Sequence, residues 1–207
     1  MVFTHLCSGR PVWQIKTTLL LMAGLMVAQC LAGSNSPAEE LQQAQLLIQQ
    51  GELSAAHDLL TQALKQFPNE FNLYNFLGVV EAQQGKYVAA ESSFQKAIAL
   101  APRVVGAYVN LGHLYQENGV NDPKALQKGL DTYQRLLRFQ PDNAEANYQS
   151  AVLLQRFERF KESLHHLSRL PADAQQRAQV LAMRLVGEVG LGGTEVERRL
   201  REFAPEM

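Results

Sequence analysis

The sequence predicts an all-α fold, a solenoid of helix–turn–helix repeats, and three observations predict it. Gly51, Gly85 and Gly119 fall 34 residues apart. Ala56 is followed by Ala90, Ala63 by Ala97 and Pro68 by Pro102 at the same step. Within a period the apolar positions keep helical spacing, as Ala56, Leu60 and Ala63 do on one face. A fixed period of this length belongs to stacked helix pairs rather than to one globular core. Such an array offers an extended surface to another molecule and rarely carries chemistry of its own.

The elements can be justified in order. Residues 1–16 hold Arg10 and Lys16 and no acid, and the apolar run Leu19–Val27 follows, then Ala28-Gln29-Cys30-Leu31-Ala32-Gly33. A positive start, a short apolar stretch and small residues behind it describe a secretory signal. Three fates are open: cleavage after Ala32, lipidation at Cys30 in a segment that resembles the bacterial lipoprotein box, or retention of Thr17 to Gly33 as an anchor. Gln29 departs from that box, which has glycine, alanine or serine before the cysteine. Each fate exports the repeats, and lipidation or retention would also leave a membrane tether at the N-terminus. Ser34-Asn35-Ser36 is a linker; Ser36, Pro37 and Glu39 make a capping box for the first helix.

The first repeat spans 37–70, with its first helix ending at Gly51 and its second closed by Pro68. The second, 71–104, is the most regular: Tyr74, Leu77, Gly78, Gly85, Tyr87, Ala90, Phe94, Ala97 and Pro102. Gly78 and Ala90 are small where its two helices cross, Gly85 ends the first helix in a left-handed cap, and Pro102 blocks continuation of the second. The third, 105–143, opens with Tyr108, Leu111, Gly112, Tyr115 and Gly119. Pro141 then follows Pro102 by 39 residues, five more than the period. Asp122 and Pro123 start the next helix, so the insertion predicts a longer second helix carrying Gly129, Tyr133 and Leu136. The fourth, 144–170, keeps Ala151, Phe160, Ser163, Leu167 and Leu170. The capping segment 171–207 is expected to hold a helix over Ala174–Val189, with Val180, Leu181, Leu185 and Val189 toward the array. The turn Gly190-Leu191-Gly192-Gly193 and a last helix over Thr194–Phe203 follow.

The run Tyr74-x-x-Leu77-Gly78, then Ala90-x-x-x-Phe94, then Pro102 resembles the tetratricopeptide repeat pattern. The resemblance covers about 37–170 firmly and the remaining residues loosely. It implies a right-handed superhelix whose first helices line a concave groove where partner peptides lie. Carried over by position, the groove comprises Asn75, Val79 and Gln83 from repeat two, Val109, Asn110, His113 and Gln116 from repeat three, and Tyr148, Val152 and Gln155 from repeat four. Members that clamp terminal carboxylates pair lysines and arginines with asparagines there. Here only Asn110 stands in a comparable place, without a lysine, so a partner held by apolar side chains and main-chain hydrogen bonds is expected.

Composition narrows the function further. Apolar residues at 46% and charged residues at 19% suit a folded chain. Residues 1–33 carry two of the 19 basic residues and none of the 20 acids, so the remainder has 17 against 20, a net of −3, and no nucleic-acid partner is expected. Cys7 and Cys30 both precede the repeats, which excludes a disulfide or thiolate metal site within them. His165-His166 are adjacent on a helix and point apart, so a solvated face is expected rather than a metal site. His57 and His113 lack a carboxylate at helical spacing. No Gly-x-Ser-x-Gly, His-Glu-x-x-His or Cys-x-x-Cys occurs, and neither an enzyme nor a cofactor is expected. The expectation is a protein-interaction scaffold of exported bacterial type; small proteins of that kind resemble assembly factors for envelope machinery. The alternative is a self-assembling structural component with no groove ligand, and the oligomeric state stays open.

Overall fold

A computed structural model describes residues 36–119 and 122–192. The chain divides into a unit over Met1–Ser36 and a unit over Pro37–Met207, and the elements below belong to the second. The expectations for the N-terminal address and for a helix over Thr194–Phe203 lie outside the described residues.

The described chain is all-helical. Four pairs follow one another: α1 (Pro37–Gln50) with α2 (Leu53–Gln66), α3 (Phe71–Gln83) with α4 (Tyr87–Leu100), α5 (Val105–Asn118) with α6 (Pro123–Leu137), and α7 (Ala144–Arg156) with α8 (Phe160–Ser168). The short α9 (Ala172–Gln175) and then α10 (Ala178–Gly190) come after them. Each helix packs on its successor through α8, first helices also meet across repeats, and α10 returns to α8.

One packing rule repeats along the array. Leu60, Phe94, Tyr133 and Leu167 occupy equivalent places in the second helices, and each is at most 1% exposed. A small residue of the paired first helix faces each of them: Ala44, Gly78, Gly112 and Ala151. A Cβ on Gly78 would stand 2.7 Å from the Phe94 ring, and one on Gly112 would stand 2.4 Å from the Tyr133 ring. The leucine–glycine of the repeat pattern therefore makes room for an aromatic ring. Gly129 marks the crossing itself, its Cβ position 3.4 Å from the Gly112 carbonyl oxygen. Each buried large side chain contributes about 1.5–3 kcal/mol of apolar transfer.

The turns inside the pairs share one hydrogen-bond pattern. Glu52 N donates to Leu47 O at 2.9 Å, Lys86 N to Glu81 O at 2.8 Å and Arg159 N to Leu154 O at 2.8 Å, the six-to-one bond of a Schellman cap. Gly51 and Gly85 supply the left-handed residue at φ 78° and 74°. In repeat four that place falls to Glu158, at φ 57°.

Repeat three is lengthened differently from the expectation. α6 has 15 residues against 14 in α4, so the second helix grows by only one. In register with Tyr87, it begins three residues earlier, because the Asp122 side chain accepts from Lys124 N at 2.9 Å and Pro123 fits the first turn. It also ends earlier, and the connection to α7 is longer. The capping segment departs as well. The single helix expected over Ala174–Val189 is broken between Gln175 and Ala178. Val180 is buried, but Leu181, Leu185 and Val189 are 42–50% exposed rather than turned to the array. Gly187 and Gly190 face the array instead, against Leu164 and Phe160.

Candidate groove on the first helices

Of the residues carried over to the groove, Val79, Gln83, Asn110 and His113 come together around one shallow pocket of about 180 Å3 between α3 and α5. Ala82, Phe94, Leu114 and Glu117 complete its wall, and its lining contains no lysine or arginine. Asn75 adjoins through a hydrogen bond, Asn110 Nδ2 donating to Asn75 Oδ1 at 3.0 Å. Opposite it sits Gly106, where a Cβ would lie 3.8 Å from Asn75 Nδ2.

A second polar link joins α5 to α7. Gln116 Nε2 donates to Gln149 Oε1 at 3.0 Å, and the Tyr133 hydroxyl donates to Gln116 Oε1 at 2.7 Å. His113 Nε2 stands 3.2 Å from Glu145 Oε1, while its ring meets Tyr133 edge-on at 6.1 Å. Burial, then Glu145 and Glu117, push the Tyr133 phenol far above its usual range, so it stays a donor at any physiological pH. These amide and imidazole links tie neighbouring first helices along the groove floor. They leave the floor polar, with the carboxylates of Glu145 and Glu117 beside it.

The other carried-over residues do different work. Val109 packs on the central core cluster, and Val152 is half-buried. Tyr148 packs with Ala151, Leu167, Leu170 and Val180. Gln155 Nε2 donates to Met183 O at 2.6 Å and so anchors α10. The repeat-four end of the groove is therefore engaged with the chain itself. Glu145, Glu117 and Gln149 were missed by sequence reasoning. The available signal was a polar pair about one period apart, as Gln116 and Gln149 are.

Two groups look chemical. Glu81, Ser93 and His57 cluster, with Ser93 Oγ donating to Glu81 Oε2 at 2.6 Å and His57 Nε2 3.9 Å from Glu81 Oε1. The serine proton goes to the carboxylate rather than to the imidazole, so the arrangement pins α4 to α3 and activates no nucleophile. His57 and His113 thus meet carboxylates across helices, Glu81 and Glu145, and His57 also has Asp58 of its own helix 3.6 Å from Nδ1. The histidine pair corrects an expectation: His165 is exposed, but His166 is half-buried, its Nδ1 2.9 Å from Asn147 Oδ1. Among the described residues no group of three His, Cys, Asp or Glu side chains could hold a metal ion. None of the described helices is long and apolar enough to cross a membrane.

Comparison with known proteins agrees with this geometry. Residues 41–104 match the family model for the tetratricopeptide repeat. A chloroplast tetratricopeptide repeat domain-containing protein of Arabidopsis thaliana is 26% identical over 71% of this chain and 48% of its own length. The chain spans less than half the length of the curated relatives it matches. Among solved structures, a tetratricopeptide repeat protein from Parabacteroides merdae superposes with a TM-score of 0.65 at 20% identity, over 82% of this chain and 67% of the other. YrrB, described as having an unusual peptide-binding site, gives 0.62 at 17% identity, over 83% and 88%. At such identities these structures show the fold alone. Taken with the helix pairs, the in-phase small residues and the aromatic rings they seat, they show a tetratricopeptide repeat fold, with residues 41–104 matching the repeat's own family model.

Proposed function

We propose that the face of α3 and α5 around Val79, Gln83, Asn110 and His113 holds an extended segment of a partner protein. The coarser function, a repeat scaffold for protein–protein interaction, goes with the family. The observation that supports the finer reading is the pocket itself: apolar at Val79 and Ala82, edged by amide and imidazole groups, and free of lysine and arginine. Such a lining favours an apolar side chain flanked by main-chain amides over a terminal carboxylate. Glu117 at its edge adds a weak preference for a neutral or basic segment.

Capture of partners by the wild type and by Val79→Arg/Gln83→Arg tests the reading, with helicity checked by circular dichroism. The variant should lose at least about tenfold of the retained partner. Undiminished recovery by a folded variant sinks the groove. Asn75→Ala/Asn110→Ala is a weaker probe, since it also removes a helix-to-helix bond.

The proposal extends to the compartment. The charges at Arg10 and Lys16 ahead of the apolar run support export, and an assembly role in the cell envelope is the working context. Mass spectrometry of the mature chain separates an acylated Cys30, a free Gly33 and an intact Met1; an intact Met1 in a cytoplasmic fraction removes the export reading.

One observation favours a second reading, in which copies associate. Leu181, Leu185, Val186 and Val189 of α10 and Leu191 just after it are 42–53% exposed. Concentration-dependent light scattering distinguishes the two, because a strict monomer at all concentrations excludes self-assembly.

A further inference from the structure

Repeat four breaks a pattern that repeats two and three keep. The Tyr74 hydroxyl donates to Pro68 O at 3.2 Å, and the Tyr108 hydroxyl donates to Pro102 O at 3.1 Å. Both rings also carry a cation from the second helix of the same repeat: Lys96 Nζ lies 6.0 Å from the Tyr74 centroid, and Arg135 Cζ 5.3 Å from that of Tyr108. In repeat four the tyrosine position is Asn147 and the cation position is Arg169. Asn147 still ties the turn, its Nδ2 donating to Pro141 O at 2.8 Å and Asn143 O at 3.0 Å. It has no ring for Arg169 to rest on.

Where the ring stands in the earlier repeats, the structure has an open pocket of about 380 Å3. Arg138 just after α6, Asn147 of α7, His165 and His166 of α8, and Arg169 just after α8 line it, and none of its lining residues is acidic. The nearby carboxylate of Glu162 is committed to Arg159, with two bonds of 2.7 Å. Asn147 is wholly buried and both its donations are to main-chain carbonyls, so its Oδ1 must be the acceptor and His166 Nδ1 the donor. That fixes the neutral tautomer with Nε2 unprotonated. Arg169 Nε donates to His165 Nε2 at 3.3 Å, which orients the guanidinium without using its Nη hydrogens.

We propose that this pocket binds a single oxyanion, a phosphate or a carboxylate, between Arg138, Arg169 and His166, and that His166 takes up a proton at Nε2 on binding. Two guanidinium groups and an imidazolium around an oxyanion give charge-assisted hydrogen bonds in a wall that supplies no competing acid. The ends of α6 and α8 lie nearby, and basic side chains also complement such carbonyl ends. That role accounts for the arginines alone. It does not call for a pocket in place of a ring, or for a half-buried histidine held in one tautomer. Facing His166 are Arg138 at the end of α6, the neutral Asn147 from α7, His165 and Glu162 from α8, and Arg169 at its end. Burial first, then His165 and Arg169, hold the imidazole below its ordinary range, with Glu162 opposing. An anion reverses that balance, so binding strengthens as pH falls.

The test is titration of the full chain with inorganic phosphate, and separately acetate, against chloride at constant ionic strength, following the His166 ring resonances. Phosphate should saturate below about 20 mM, severalfold more tightly at about pH 6 than at about pH 7.5. Arg169→Gln, at an exposed position, should weaken it at least about tenfold. Asn147→Tyr should abolish it by filling the pocket. Acetate saturating with equal strength assigns the site to carboxylates, and phosphate alone saturating assigns it to phosphates. If neither saturates, or if Arg169→Gln leaves the titration unchanged, the site does not exist and the arginines only complement helix ends.

Discussion

Glu158 occupies the left-handed region at φ 57°, where Gly51 and Gly85 stand in the earlier repeats. A side chain there costs about 1–2 kcal/mol relative to glycine. Glu158→Gly should therefore raise the unfolding free energy by about 1 kcal/mol, less than the full strain because glycine also loosens the unfolded chain; urea unfolding measures it. The glycines inside helices separate by what they face. Gly112→Ala pushes a methyl into the wholly buried Tyr133 ring and should cost about 1–3 kcal/mol. Gly129→Ala meets only ordinary contacts, from 3.4 Å, and should be neutral or slightly stabilising. The phase of these glycines was readable in the chain. Which of them is filled by a ring and which marks a backbone crossing was not, because both uses select the same residue. His166 adds a pH dependence. Its imidazole is depressed, chiefly by burial, so the unfolded chain binds the proton more readily. The stability it supports is present above the ordinary imidazole value of about 6.5 and lost as pH falls through the lower folded one. His166→Gln, which can still donate to Asn147, should flatten that part of the stability–pH profile.

At the scale of elements, a cap is local chemistry and the Asp122-Pro123 signal worked: it begins α6. Asn143, accepting from Ala146 N at 2.9 Å, begins α7 by the same chemistry, though it was not read from the sequence. The apolar stripe, sound in the repeats at Ala56, Leu60 and Ala63, misled in α10. Leu181, Leu185 and Val189 share a helical face and invited burial, yet α10 approaches α8 through Gly187 and Gly190. Close approach of a helix selects small residues, and Phe160 comes within 2.4 Å of where a Cβ on Gly190 would be. Apolarity alone does not say which face is nearest. The consequence is an inversion of the usual substitution pattern. Leu181→Gln and Leu185→Gln should change stability by no more than about 0.5 kcal/mol, as exposed positions do. Gly190→Leu should cost more than about 1 kcal/mol by forcing Phe160 aside. Thermal unfolding of the three variants checks the order, and a larger loss from either leucine substitution than from Gly190→Leu overturns this packing.

Across the whole described array the 34-residue step, readable in the sequence, becomes a division of the core. One cluster joins α1 to α3 around Leu60, Leu73 and Val80; a larger one joins α4 to α7 around Phe94, Leu130, Tyr133 and Leu153; a small one joins α7, α8 and α10 around Leu167 and Val180. Contacts of this kind run between neighbours, so each segment is held by the segments beside it rather than by a common centre. The pocket side chains on α3 and α5 sit where the first two clusters meet, a placement that would hold the proposed binding surface in one form. Local opening should follow the size of the clusters. Amide exchange should be slowest in α4 to α6 and fastest in α8 and α10, where a few side chains and the Gln155 link hold the helices. Leu60→Ala sharpens the test: it removes a wholly buried side chain, at a cost of about 2–5 kcal/mol. In a nearest-neighbour array it should accelerate exchange in α1 to α3 while leaving α7 and α8 near their wild-type rates. A uniform acceleration through α8 would mean that the array unfolds as one cooperative body, and that the groove cannot be treated as resting on its adjacent repeats alone.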